Sequence, residues 1–362
     1  LSFFLCGLCG NAEAKKKKEV KKAIKREVQT PYDKLFKGKK AFTVNGLMKM
    51  HLMAGKVYAE FPIELLNRDL ALTSSIEDIS DNGEGVVGQF AGRVNQFRFT
   101  LQDSMLQARL VRRYGVKNTG MGKNADQIIE RSNTPGIFQS YKILAYTPDK
   151  KAVVVDMTEL FLESSRLTNP FPSYAGNSLY GFVQRIHKFQ SQRFELLGIC
   201  GNDNSMSVRC NLGFNVDRLV LGSFMQAKDV PVSVTVNKIL MLLPEDPMRP
   251  RLADSRIGVN AIIQTELPDV CQGIKTYYIT KRWRIEPVDE IRYKQGEMVD
   301  VKKPIVFYID TLMPDSWIKY VKAGAEAWNA AFEKIGLRNV VRTELFPKDS
   351  SFDAGDIHNS VI

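Results

Sequence analysis

Between about residues 41 and 292 the chain alternates apolar and polar side chains with a period of two, interrupted at short intervals by turn residues. Successive side chains of a strand point to opposite faces, so the pattern predicts strands with one buried and one wet face. Phe97, Phe99 and Leu101 alternate with Arg98, Thr100 and Gln102, and past Asp103-Ser104 the alternation resumes at Leu106, Ala108 and Leu110. That spacing predicts a hairpin. A second is expected where Ala54-Gly55 separates 47–53 from 56–61, and a third where Thr147-Pro148-Asp149-Lys150 separates 141–146 from 152–156. A short helix is expected at 158–164. Two further strands are read at 208–221 and 230–243, the second with Val232, Val234 and Val236 on one face. The expected class is mixed but mainly β, with an antiparallel β-rich region over 41–301 that divides into subdomains 41–135 and 136–301.

Near Pro304 the pattern changes. Ile305 to Ile309 form a near-continuous apolar run, as in a strand covered on both faces. Pro314-Asp315-Ser316 then offers a helix start, and Trp317, Val321, Gly324, Trp328, Ala331 and Ile335 recur at steps of three and four until Gly336. One amphipathic helix of about five turns is predicted, its apolar stripe facing a core. Residues 339–346 return to strand character. Strand, helix and strand make one βαβ-like unit, which cannot cover both faces of a sheet alone, so 302–362 reads as the start of a further α/β domain.

Charge bears on partners. The formal net charge is +11, and residues 1–40 hold twelve basic side chains against four acids, which accounts for +8 of it. Concentrated in one segment, the charge is that of a solvated basic leader over 15–40 that meets anionic envelope surfaces, and no nucleic-acid partner is expected. Before it, Leu1-Ser2-Phe3-Phe4-Leu5-Cys6-Gly7-Leu8 and the small-x-small Ala12-Glu13-Ala14 read as the end of a signal peptide over 1–14, cut after Ala14. The expected compartment is therefore outside the cytoplasm: periplasmic, outer-surface or secreted. No apolar run approaches the ~20 residues of a transmembrane helix.

Export permits disulfides. Cys200 and Cys210 flank the turn-rich Gly201-Asn202-Asp203-Asn204-Ser205 and are placed to face each other across a hairpin. Cys271, in Asp269-Val270-Cys271-Gln272-Gly273, lacks the Arg and Pro surroundings of an inhibitory propeptide thiolate.

The residues that carry chemistry are few. There are three histidines, His51, His187 and His358, no two within a helical turn of each other, and no H-E-x-x-H, so neither a catalytic residue nor a metal ligand is assigned in this chain. His51 and His187 lie in alternating segments and read as satisfied strand residues. Gly83-Glu84-Gly85 and Gly120-Met121-Gly122-Lys123 do not join a strand to a helix start as a phosphate loop would. The densest polar cluster runs from Leu243 to Gly258 and is stiffened by Pro244, Pro247 and Pro250. Its Arg249, Arg251 and Arg256, with Asp254 and the nearby Arg282 and Trp283, are candidates for a clamp on a substrate carboxylate or on a neighbouring domain. The alternative is an internal network of these arginines with Asp246 and Asp254.

Leu243-Pro244-Glu245-Asp246-Pro247-Met248-Arg249-Pro250-Arg251 with Asp254-Ser255-Arg256-Ile257-Gly258, then Arg282-Trp283-Arg284-Ile285-Glu286-Pro287, then Lys303-Pro304-Ile305-Val306-Phe307-Tyr308-Ile309-Asp310, then Trp317 through Trp328-Asn329-Ala330-Ala331-Phe332 to Gly336, form an ordered series. It resembles the large secreted bacterial zinc-dependent metalloproteases, in which a β-rich N-terminal region precedes a zincin-type catalytic domain. The resemblance implies that 302–362 opens that domain, and that a zinc-activated water with a glutamate general base hydrolyses the peptide bonds of a protein or peptide substrate. It places the H-E-x-x-H helix beyond residue 362, so zinc is implied for the longer protein and this fragment alone is expected to be inactive. The alternative class is a non-catalytic envelope module that binds a polypeptide or glycan.

Overall fold

The computed structural model of the protein describes residues 29–90, 94–111, 116–118, 123–162, 168–171, 175–178, 181–220, 224–267, 275–347, 352, 354–356 and 358–362. The order of elements begins with α1 (Pro31–Phe36), β1 (Phe42–Val44), β2 (Lys49–Met53), β3 (Lys56–Pro62), β4 (Asp69–Ile79), β5 (Asn95–Gln102), β6 (Met105–Val111), β7 (Val116–Asn118) and α2 (Lys123–Ser132). It continues with β8 (Gly136–Tyr146), β9 (Ala152–Asp156), α3 (Thr158–Leu162), β10 (Ala175–Ser178), β11 (Gly181–Asn202), β12 (Ser205–Val220), β13 (Phe224–Leu242), β14 (Ala261–Leu267) and β15 (Lys275–Thr280). Last come α4 (Glu290–Lys294), β16 (Val299–Asp300), β17 (Ile305–Ile309), α5 (Asp315–Glu326), α6 (Asn329–Glu333), β18 (Leu337–Arg338), β19 (Val341–Leu345) and β20 (Ser360–Val361).

Twelve strands make one sheet in the order β1-β2-β3-β9-β8-β6-β5-β4-β13-β12-β11-β10, every pair antiparallel. The three expected hairpins form. At the first, Ala54 (φ 51°) and Gly55 (φ 70°) both lie in the left-handed region, as a two-residue turn matched to strand twist requires. Strands from both halves interleave, β8 and β9 pairing between β3 and β6, so the expected division at residue 135 does not occur.

The sheet curls until its ends approach. The Leu47 amide donates to the Asn202 carbonyl (2.7 Å) at the tip of the β11–β12 hairpin. A Cβ on Gly46 would stand 2.7 Å from that oxygen, so only glycine permits this approach. Curling lets one side of the sheet bury itself: Met50, Val57, Phe61, Leu70, Phe97, Phe99 and Leu106 form one core with Ile199, Met206 and Val208 from the opposite end. A second cluster gathers Phe171, Phe214, Val216 and the predicted row Val232, Val234 and Val236.

The tail end of the basic leader is folded. Pro31 stands at the first turn of α1, Thr30 and Asp33 cap each other reciprocally, Tyr32 Oη donates to Glu60 Oε1 (2.6 Å), and the Phe36 ring lies 4.4 Å from that of His51. The expectation of a wholly solvated leader over 15–40 is corrected there: capping residues and two aromatics outweigh the lysines. The signal-peptide segment and Ala14 lie outside the described residues, as does Cys271.

The strand-helix-strand unit is present and parallel, Ile305 to Ile309 facing Val341 to Leu345 in register, with β20 on the other side of β17. The single long helix is not: Ala327 and Trp328 separate α5 from α6, and Pro314 caps α5 through its backbone without a side-chain bond. The predicted stripe faces outward, Trp317 being 65% and Trp328 66% exposed. Val321 alone of the stripe is half-buried, with Ala325, Asn329 and Phe332, and Asn329 exchanges two hydrogen bonds with the Val341 backbone (2.8 Å each). The core of this unit reaches back past residue 302, since Ile285, Tyr293 and Val299 pack with Ile305, Leu337 and Val340. No helix among the described residues is long and apolar enough to cross a membrane.

Candidate functional site

A cleft of about 650 Å3 opens between the curled sheet and the terminal unit. Ser75, Ile76 and Glu77 of β4, Cys200 of β11 and Arg209 of β12 line its sheet side. Alternating side chains on these strands bring Arg209 Nε within 2.7 Å of Glu77 Oε2. The β4–β5 connection adds Val87 and Phe90 as an exposed apolar rim. Phe346, Phe352, Val361 and Asp310 line the opposite side, and the Phe352 ring lies 4.8 Å from Tyr308 and 5.2 Å from Phe346. Apolar surface with a few placed polar groups is the composition of a binding surface.

Two buried carboxylates fix the cleft. Asp356 is held by the His358 backbone N–H (2.9 Å), the His358 ring (2.8 Å) and Asn202 Nδ2 (3.0 Å), which ties the terminal unit to the tip of the β11–β12 hairpin. Burial, the largest influence, pushes the Asp356 carboxyl up, but the bonds from His358 and Asn202 together outweigh it and hold the group below the usual carboxylate range. Glu84, fully buried, anchors the rim. Its carboxylate accepts from Arg218 Nε (2.8 Å), pairs with His187 Nε2 (2.8 Å) and lies 3.3 Å from Arg185 Nε. The His187 ring is stacked 4.2 Å from Phe171, and burial lowers its pKa despite the bond to Glu84.

The arginine-rich loop fits the reading as internal bracing. Arg256 pairs with Asp254, Arg282 Nη2 donates to the Arg249 carbonyl (2.8 Å), and Arg284 Nη2 donates to the Asp246 carbonyl (3.1 Å). Arg251 gives its carbonyl to Thr280 N (2.9 Å), and Glu245 pairs with Arg68 (2.7 Å). Trp283 meets Phe307 of β17 edge-on at 6.1 Å. Loop 243–260 and the segment 281–287 thus strap the sheet to the terminal unit, and none of these residues lines the cleft. Residues 281–286 run without strand pairing.

The expected disulfide is not formed. Cys200 stands opposite Ser207 and Cys210 opposite Leu196, three residues further along β12. That is about 10 Å at strand rise, beyond the reach of a disulfide, and on the opposite face. Cys200 is exposed and Cys210 is buried with its thiol against the Phe161 carbonyl (3.4 Å), and burial pushes the Cys210 thiol up to about 11.

His51 and His187 are satisfied strand residues, His51 lying between Thr43 Oγ1 (2.9 Å) and Glu60 Oε1 (3.0 Å). Among the described residues no group of three or more His, Cys, Asp or Glu could hold a metal ion. Sequence reasoning missed Glu84, Arg218, Asn202 and Asp356. Glu84 and Arg218 are 134 residues apart, and the only local signal was an acid between Gly83 and Gly85.

The chain belongs to the family described as Domain of unknown function (DUF5117), whose model matches residues 88–288. A second model, Domain of unknown function (DUF5118), matches residues 29–79. No curated protein and no solved structure matches the chain. The shorter match holds α1 and β1–β4, and β4 pairs with β5 and β13 of the longer one, so the two matched regions share one sheet and one core.

Proposed function

We propose that this chain is the N-terminal part of an exported zinc-dependent metallopeptidase, with the curled sheet as an accessory region that positions polypeptide substrate. The observation that carries the proposal is the parallel β17–α5–α6–β19 unit strapped to the sheet by the motif-bearing loop 243–260 and segment 281–287. These are the stretches on which the metalloprotease resemblance rests. Zinc, the general base and the hydrolytic step belong to residues outside this chain. Arg249, Arg251, Asp254, Arg256, Arg282 and Trp283 serve in the proposal as an interdomain strap. The leader lysines preceding α1 are proposed to touch anionic envelope surfaces.

The test is the natural reading frame that contains this chain. Purified, its product should carry about one zinc per chain and cleave casein, and a chelator should abolish both. A frame without H-E-x-x-H after residue 362, or hydrolysis indifferent to chelator, defeats the proposal. The second reading, a non-catalytic envelope binding module, draws on the cleft between the sheet and the terminal unit, and chelator-sensitive cleavage would reject it.

A further inference from the structure

We infer that the cleft between the sheet and the terminal unit is a binding groove for an extended polypeptide segment that presents an apolar side chain. The inference rests on the proposed function in that it names what the accessory region holds. Its volume, about 650 Å3, falls within the range of built ligand sites. The lining mixes donor and acceptor groups: Arg209 pairs with Glu77 on the sheet, and Asp310 stands on the terminal unit. An extended backbone carries one N–H and one C=O per residue, so a lining that offers both donor and acceptor suits it whatever its side chains are. Between them, Val87 (57% exposed) and Phe90 (48% exposed) face solvent from one side and Phe352 lines the other, an arrangement that buries one apolar side chain of the guest.

The charges select the occupant. Glu77 and Asp310 repel a polyanion, which excludes nucleic acid, and a purely apolar guest would strand the Arg209–Glu77 pair away from water. The rim is also built to stay in place. Glu84 is locked under Arg218 and His187, and the 80–90 connection is clipped to β4 by Ile76 N to Gln89 O (2.9 Å) and Gly88 N to Ile76 O (2.8 Å). A preformed rim avoids the ordering cost of closing on the guest.

The experiment is an anisotropy titration of the 362-residue chain against fluorescein-labelled lysozyme that has been reduced and carbamidomethylated, a neutral-capped, permanently unfolded polypeptide. Saturable binding is expected, weakened about tenfold or more by Phe90→Asp and by Val87→Asp, the scale of an apolar anchor removed from the centre of an interface. Ile128→Asp, an exposed apolar site on α2 that does not line the cleft, should stay within about twofold of the parent. Absence of binding by the parent chain, or equal effects of the three substitutions, overturns the inference. Should Phe90→Asp lower the melting temperature, Val87→Asp decides, since its side chain lies largely in solvent. Zinc and hydrolysis do not enter this titration. Binding here with no peptidase in the longer protein would therefore sink the enzymatic reading and leave the groove, and the reverse result would sink the groove alone.

Discussion

The curled sheet buries Phe61, Phe97, Phe99 and Phe161 almost completely, whereas the terminal unit leaves Trp317, Tyr320 and Trp328 in solvent. Both are rich in apolar residues at the correct periods, so periodicity does not explain the difference. Closure does. A sheet that rolls until β2 meets β11 turns one face into an interior, while the two small parallel sheets of the terminal unit share only the thin core of Val299, Ile305, Leu337 and Val340. Stability should therefore be concentrated in the sheet.

The sharpest way to break that comparison is Phe61→Ala, which empties a site against Phe99 (4.8 Å) and should cost about 3–5 kcal/mol in urea unfolding followed by far-ultraviolet circular dichroism. A loss under about 1 kcal/mol would mean that the rolled core is not where the stability lies. Glu84→Ala should follow at about 3 kcal/mol, because it leaves Arg218 and His187 without their buried carboxylate, and limited proteolysis should then cut within 81–90. Ile305→Val should cost about 1 kcal/mol and be read in the terminal unit through Trp317 and Trp328 fluorescence, with the sheet's transition unmoved.

The smallest expected effect is one of pH. His187 has its folded pKa lowered, chiefly by burial, so below the ordinary histidine value of about 6.5 the unfolded chain binds the extra proton and the folded chain resists it. Stability should therefore fall as pH drops from about 7 towards 5.5, and His187→Gln should show a shallower slope over that window in the same urea titration. Equal slopes would remove His187 from the account.

The sequence made much of this legible where the physics is local. The turn at Ala54-Gly55, the hairpin at Asp103-Ser104 and the Val232, Val234 and Val236 row follow from backbone conformation and from period two, both short-range properties. The outward stripe on α5 and α6 shows the limit. Period alone marked Trp317, Gly324 and Trp328 as one face, but which face is covered depends on what lies across from it. Cys200 and Cys210 teach the same lesson, since the turn at Asp203-Asn204 sets the register and brings Cys200 opposite Ser207 and not Cys210.

By itself, then, the chain's order of residues determined the strands, the turns, the parallel terminal unit and the stiff proline-rich strap, because each depends on conformational preferences within a few residues. The interleaving of two matched families in one sheet, the Glu84 anchor under Arg218, the Asn202–Asp356 tie and the cleft between them were decided only in the tertiary structure. These contacts join residues more than a hundred positions apart. The free energy of bringing such partners together is set by the closure of the whole sheet and not by any segment of it.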